Sequence, residues 1–159
     1  MNLRTKKIAL HLMVIGIALF GISYSTTAQS IVGKWKRTAV LLTDVDGEVT
    51  DVQAMVEEEM PCTASIVYEF TGDGTQKTII PADCLKAMKA MAKLYVDVKY
   101  SLTGNKLTVK AADMPDFPDS VYLIKIQGST MTWEFDYVNN PKYPNPTKAK
   151  HMSIVYKKL

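Results

Sequence analysis

Apolar and polar residues alternate along most of the chain from residue 31 onwards, which is typical of β-strands with one buried face. The stretch Ile31–Leu42 opens this pattern, with Gly33-Lys34-Trp35 followed by a run suited to one long strand. The alternation predicts eight strands, near residues 33–43, 62–71, 75–80, 96–103, 106–111, 120–127, 130–138 and 150–158. We therefore expect an all-β fold with short helices, an eight-stranded antiparallel up-and-down β-barrel. A sandwich of two sheets would use the same alternation and is the alternative.

Tight turns between the predicted strands determine how neighbouring strands pair. The turn Gly128-Ser129 sets Ile124 opposite Trp133, and the turn Gly104-Asn105 likewise aligns the apolar residues of its two strands. Both turns place apolar side chains on one face of their hairpin. This agreement indicates half-buried antiparallel hairpins.

Two interruptions of the alternation predict short helices. Thr50-x-x-Gln53 matches a capping box, and the apolar residues that follow recur at helical spacing until Pro61 ends the helix. Apolar residues recur at helical spacing again from Asp83 to Leu94, with lysines on the opposite face. Loops are predicted at Met114–Pro118 and at the proline-rich segment Asn139–Pro146.

Residues 1–28 have the layout of a secretory signal peptide. Basic residues come first, the apolar run Ile8–Ile22 follows, and small residues ending at Ala28 precede Gln29. The apolar run has 15 residues, fewer than the roughly 20 that span a bilayer. We expect cleavage after Ala28, a barrel domain over 29–159, and a periplasmic or extracellular protein without stable membrane insertion. An uncleaved membrane anchor is the alternative.

The signal carries the net charge of the precursor. Three of the 19 Lys and Arg residues and none of the 16 Asp and Glu residues lie in 1–28, so the mature chain has 16 of each sign. A balanced chain has no electrostatic surface for nucleic acid, and we expect no nucleic-acid partner. The 131 residues that remain are enough for one domain with one core.

The turn Gly72-Asp73-Gly74 brings the two cysteines of the chain towards each other. A register centred on Asp73 pairs Glu69 with Lys77 and sets Cys62 opposite Cys84. Export to an oxidising compartment favours a disulfide between them. Two free buried thiols are the alternative.

Side chains for catalysis or metal binding are scarce. His151 is the single histidine of the mature chain, and its alternation with Met152 predicts that it lies on the outer face. A serine nucleophile would need this histidine as its base, and no serine lies in a nucleophile-elbow motif. Bonded cysteines cannot bind zinc. We expect no enzymatic activity, no metal and no cofactor.

A set of aromatic residues falls on the inferred inner faces of the strands. These candidate ligand-binding residues are Tyr68, Phe70, Tyr100, Tyr122, Trp133, Phe135 and Tyr156. The rings could line a cavity for a small apolar ligand, or they could fill a solid core, since small barrels are often packed shut by side chains. The sequence leaves both interpretations open.

Four motifs follow one another along the mature chain. They are Ile31-Val32-Gly33-Lys34-Trp35, Tyr68-x-Phe70 with Gly72-Asp73-Gly74-Thr75, Ser101-Leu102-Thr103-Gly104-Asn105-Lys106-Leu107-Thr108, and Tyr156-Lys157-Lys158. Together they resemble the lipocalin-like, calycin-type domains secreted by Bacteroidetes-type bacteria. The resemblance implies a small secreted barrel with Gly33 and Trp35 as its structural signature. Lipocalins commonly place an arginine over this tryptophan, whereas only Lys157 or Lys158 is available here, and lysine lacks a planar guanidinium.

Two functions are compatible with these observations. The resemblance implies a lipocalin-like carrier or sensor that binds a small hydrophobic ligand inside the barrel. The alternative is a closed barrel with a packed core that acts as a protein-interaction module, through the loop 139–146 or the helices, with a protein partner that the sequence does not identify.

Overall fold

The computed structural model describes residues 30–87, 97–111 and 118–159. The predicted signal peptide, the second half of the predicted helix 83–94 and most of the predicted loop 114–118 lie outside these residues. Within the described part of the chain, no helix is long and apolar enough to cross a membrane.

The described residues form one sheet of nine strands with short helices between them. The strands are β1 (Gly33–Thr43), β2 (Val49–Asp51), β3 (Val67–Phe70), β4 (Thr75–Ile79), β5 (Val98–Thr103), β6 (Lys106–Ala111), β7 (Ser120–Gln127), β8 (Thr130–Asp136) and β9 (His151–Lys158). The helices are α1 (Val52–Glu59), a 3₁₀ helix (Pro61–Ser65) and α2 (Ala82–Ala87).

Strand β1 closes the sheet because it pairs with strands on both of its sides. Its first residues pair with β3, with Trp35 opposite Tyr68, while Trp35–Thr43 runs beside β9, with Leu42 opposite Met152. Strands β1 and β3–β9 thus form the predicted closed antiparallel up-and-down barrel of eight strands. The sandwich alternative is wrong. The ninth strand, β2, adds to the end of β1 beyond β3.

The connections differ between the two ends of the barrel. Tight turns at 72–74, 104–105 and 128–129 join neighbouring strands at one end, which we call the turn end. The helices and the segment 137–150 connect strands at the other end, which we call the mouth. Because up-and-down strands alternate in direction, every long connection falls on the same side.

The predicted registers are confirmed where the turns set them. Glu69 lies opposite Lys77 across the first turn. Tyr100 lies opposite Val109 across the second, and Ile124 lies opposite Trp133 across the third.

The predicted strand 62–71 is wrong in its first half. Pro61 begins a 3₁₀ helix, in which the Thr63 hydroxyl donates to the carbonyl of Met60 at 2.7 Å and the Ile66 N–H donates to the carbonyl of Thr63. Proline fixes its φ and suits the first helical position. The alternation of apolar residues therefore continues through a helical turn, and pairing begins only at Val67.

Helix α1 is confirmed, but its predicted cap is one residue out of place. Asp51 is the N-cap, and its carboxylate accepts hydrogen bonds from the N–H groups of Gln53 at 3.0 Å and Ala54 at 3.2 Å. Thr50 lies in β2 instead. The same carboxylate oxygen accepts from Val40 N–H of β1 at 3.3 Å, so Asp51 joins the helix to the barrel wall.

Trp35 anchors the turn end of the core. Its side chain is fully buried, and its indole Nε1–H donates to the carbonyl of Ile31 at 2.8 Å. The Nζ of Lys158 lies 5.4 Å from the centroid of this indole. A lysine therefore occupies the place over the tryptophan for which a lipocalin commonly uses an arginine, and it contacts the ring as a point charge.

Among the described residues, which stop at Ala87 and resume at Asp97, strands β4 and β5 pair at two positions. The pairs are Thr75 opposite Lys99 and Gln76 opposite Val98. The Tyr100 N–H extends this pairing by donating to the carbonyl of Gly74 at 2.7 Å. Gly74 has a φ of +76°, and a Cβ on it would lie 2.7 Å from the carbonyl oxygen of Tyr100. Only glycine allows this approach.

The predicted disulfide between Cys62 and Cys84 is confirmed, with Cα atoms 5.2 Å apart. It joins the 3₁₀ helix to α2, so it ties two helical segments at the mouth to each other. The described cysteines include no free thiol.

We expect this disulfide to stabilise the fold by restricting the unfolded chain. The cysteines are 22 residues apart, and a loop of this size is worth about 3 kcal/mol in the chain-entropy model. Reduction, or the double substitution Cys62→Ala/Cys84→Ala, should lower the free energy of unfolding by about that amount. Chemical denaturation measures it, and thiol titration of the denatured, unreduced protein should give nearly no free thiol. Two free thiols per chain would contradict the bond.

Candidate functional site

The structure brings the seven candidate aromatic residues into one cluster inside the barrel. Six of them are buried, and Tyr100 is partly buried. Trp133 lies at the centre, since its ring centroid is 5.1 Å from those of Tyr122 and Tyr156 and 5.7 Å from that of Phe70. The remaining rings join through these three. The contact pairs are Tyr68 with Tyr156 at 5.6 Å, Tyr100 with Phe70 at 5.5 Å, and Phe135 with Tyr122 at 5.4 Å.

The ring contacts are edge-to-face or tilted, the arrangements that the aromatic quadrupole favours. Centroids at these separations are in direct contact. The aromatic residues therefore fill the centre of the barrel with one another, rather than standing apart around an open space.

The indole N–H of Trp133 is the exception in this apolar interior. Trp133 is 3% exposed, and its Nε1 has no hydrogen-bond partner among the residues that the structure describes. A buried donor without an acceptor costs about 1–3 kcal/mol. Buried donors are usually satisfied by protein, ordered water or a ligand. An acceptor atom brought by a bound molecule would stabilise this position.

Arg37 brings a positive charge to the inner face of β1. It lies opposite Tyr156 in the β1–β9 ladder, and its Cζ is 5.3 Å from the centroid of the Tyr68 ring. Its Nε–H donates to the side-chain oxygen of Gln53 at 2.7 Å. The guanidinium thus lies between the aromatic cluster and helix α1.

Helix α1 is connected to this arginine through a short chain of hydrogen bonds. Gln53 is 3% exposed, and while its oxygen accepts from Arg37, its amide donates to the carboxylate of Glu57 at 2.7 Å. Movement of the helix would therefore change the position of the guanidinium.

Three tyrosine hydroxyls of the cluster have a raised pKa and stay neutral at physiological pH. Burial raises the pKa of Tyr156, and the nearby charge of Arg37 opposes this only in part. Burial also raises the pKa of Tyr122. Burial raises the pKa of Tyr100 as well, and the charge of Asp73 adds to the shift. The interior around Arg37 therefore offers aromatic surface, neutral hydroxyls and a cation.

The cluster is accessible on the side of β5 and β6. Tyr100 and Val109 face each other across this hairpin, pack against the core and remain partly exposed, whereas Trp133 and Phe135 of β8 are buried. The Tyr100 hydroxyl donates to the carbonyl of Thr71, between β3 and β4, at 2.7 Å. Tyr100 is therefore the most exposed member of the cluster.

A groove with a volume of 410 Å³ lies at the mouth, between the β1–β2 hairpin, α1 and the residues before β9. We call it the mouth groove. A second groove of 280 Å³ lies along Asn139–Tyr143, and a third of 500 Å³ contains Tyr137, Lys148 and Lys150. None of the seven candidate aromatic residues lines any of these three grooves.

His151 lies on the outer face of β9, as its alternation predicts. Its Nε2 contacts the carboxylate of Glu134, and the Ser153 hydroxyl donates to the same carboxylate at 3.1 Å. The serine does not contact the imidazole in this arrangement, so the three side chains do not form a nucleophile–base pair. Among residues 30–87, 97–111 and 118–159, no group of His, Cys, Asp or Glu side chains could hold a metal ion.

Arg37 and Gln53 are the residues of the site that the sequence interpretation missed. The alternation that starts at Trp35 places Arg37 two residues on, which is the same face of β1. That signal was sufficient to find it. Gln53 gave no such signal, because its match to a capping box suggested a role at the helix terminus instead.

The two buried tryptophans allow a direct comparison of a satisfied and an unsatisfied indole. Trp35→Phe and Trp133→Phe remove the same atoms, but only the first breaks a hydrogen bond, that to Ile31. We expect Trp35→Phe to lower the free energy of unfolding by at least about 1 kcal/mol more than Trp133→Phe. Urea denaturation measures both. An equal or larger loss for Trp133→Phe would show that its N–H has a partner.

Comparisons with protein-family models, with curated proteins and with solved structures found no match to this chain. The closed antiparallel barrel is consistent with a calycin-type fold on its architecture alone.

Proposed function

We propose that the protein is an exported lipocalin-like carrier or sensor that binds a small, mainly apolar molecule with an acidic or hydrogen-bond-accepting end inside the barrel. The observation that supports this best is the buried indole N–H of Trp133, which lacks an acceptor among the described residues. Its neighbours are aromatic rings, which suit an apolar ligand, and because these rings contact one another they must move apart when a ligand binds.

The charge of the interior determines the preferred chemistry of the ligand. Trp133 offers an N–H donor, and Arg37 offers a guanidinium next to Tyr68 and Tyr156. Both groups favour an oxygen acceptor, and the guanidinium favours an anion. A fatty-acid-like molecule combines such a head with an apolar chain. Tyr100 is partly exposed, and entry of a ligand beside it would require its side chain to move.

Export is part of this proposal. The disulfide between Cys62 and Cys84 is compatible with an oxidising compartment, and residues 1–28 have the layout of a cleavable signal. Sequencing of the exported protein should begin at Gln29. Full-length protein retained in the membrane would contradict this.

A second function is favoured by the contacts between the rings. If the aromatic cluster is rigid, the barrel is a packed support for a protein-interaction surface. The loop 139–146 would contribute to this surface. It is anchored to the barrel, because the ring of Tyr143 packs against that of Phe135 with centroids 4.8 Å apart.

Ligand titrations decide between the two functions. We expect an apolar dye to bind the mature protein saturably and to be displaced by decanoate more strongly than by decanol, because Arg37 favours the anion. Trp133→Phe should weaken decanoate binding by roughly two- to tenfold, the value of one hydrogen bond. The control is Leu123→Ala, a change at an exposed position on β7.

Two outcomes would count against the carrier. If the folded protein does not bind the dye saturably, the protein-interaction function of the packed barrel is favoured. Equal affinities of the wild type and Trp133→Phe would place the ligand away from the indole.

A further inference from the structure

The mouth groove has an apolar floor that belongs to three separate segments. Leu42 comes from β1, Val52, Met55 and Val56 come from α1, and Ala149 precedes β9. Met55 is 56% exposed although it is one of the larger apolar side chains of the chain. Exposed apolar surface in a concave site is typical of a position that a ligand covers.

The charged residues around this floor all have the same sign. Asp44 and Glu48 line the groove from the β1–β2 hairpin, and Glu59 lines it from the end of α1. Among the described residues that line the groove, none is basic. Lys148 and Lys150 lie nearby in sequence, but they line the neighbouring groove on the other side of Ala149.

We propose that the mouth groove binds a small amphipathic amine, with its apolar chain on Met55, Val52 and Leu42 and its ammonium group among the carboxylates. The volume of 410 Å³ lies within the range of roughly 300–1,000 Å³ that small-ligand sites occupy. An ammonium group beside apolar walls is attracted more strongly than it would be in open water. A carboxylate head would be repelled by the same three side chains.

This site is separate from the aromatic interior and has the opposite charge preference. The interior combines Arg37 with the donor of Trp133, whereas the groove contains acidic side chains and no member of the aromatic cluster. Amine binding in the mouth groove is therefore independent of ligand binding in the interior. It also gives the protein two chemically distinct sites, one inside the barrel and one at its mouth.

The test compares three ligands that differ only in their head group. Decylamine, decanol and decanoate are titrated into mature protein with isotope-labelled methionine methyl groups, and the Met55 signal, assigned through Met55→Leu, reports on the groove. We expect the Met55 signal to shift saturably with decylamine at the lowest concentration, then with decanol, and least with decanoate. Equal affinities for the three heads, or no saturable shift, would overturn the proposal.

Adjacent glutamates of α1 provide a matched pair of variants. Glu59 lines the groove and Glu58 does not, and both are exposed. Glu59→Gln should weaken decylamine binding roughly two- to fivefold, as expected for one partly exposed ion pair, while Glu58→Gln should have little effect. Equal effects of the two substitutions would show that only the net charge of the protein matters, and this would overturn the site.

A third pair of measurements separates this site from the interior. Met55→Lys places a cation on the apolar floor and should abolish decylamine binding without changing displacement of the dye by decanoate. Trp133→Phe should leave decylamine binding unchanged. If Trp133→Phe weakens decylamine binding as much as Met55→Lys does, the amine binds inside the barrel and the groove is not its site.

Discussion

Strand β1 is shared between three other strands, and the closed form of the sheet depends on this sharing. Its start pairs with β3, Trp35–Thr43 pairs with β9, and its end also pairs with β2. The register of the β1–β9 pairing shifts between Arg37 and Ala39, and β1 stays paired with β9 on both sides of this irregularity. Closure removes the free edges of the eight barrel strands and gives the inward side chains a common interior.

The same strand determines what that interior contains. Trp35 fills the turn end, and Arg37, two residues further along, places a cation beside Tyr68 and Tyr156. Closer to the mouth, Leu42 of the same strand lines the mouth groove. One strand therefore contributes to the packed base, to the charged part of the interior and to the apolar floor at the mouth.

The turns made most of the fold predictable. Glycine-containing turns have few geometries, so each one fixes a register, and the pairs Glu69 with Lys77 and Ile124 with Trp133 follow from them. The interruptions were harder to interpret, because a residue such as Pro61 ends one helix and begins another within an alternating stretch. The third strand on β1 was missed because β2 has three residues, too few for an alternation to be recognised. The aromatic cluster was predictable from alternation, but whether its rings touch depends on their rotamers, which alternation does not specify.

Trp133 holds a buried indole donor at the middle of the barrel, and we propose that a ligand satisfies it. Its indole N–H proton gives the most direct test, since the chain has two tryptophans and the other, Trp35, is bonded to Ile31. In the ligand-free protein, nuclear magnetic resonance should show the Trp133 proton at a field typical of an indole without an acceptor. Titration with decanoate should move that signal saturably and leave the signal of Trp35 in place. A Trp133 proton that already shows hydrogen bonding without ligand, and does not move when ligand is added, would show that this donor is not available to a ligand.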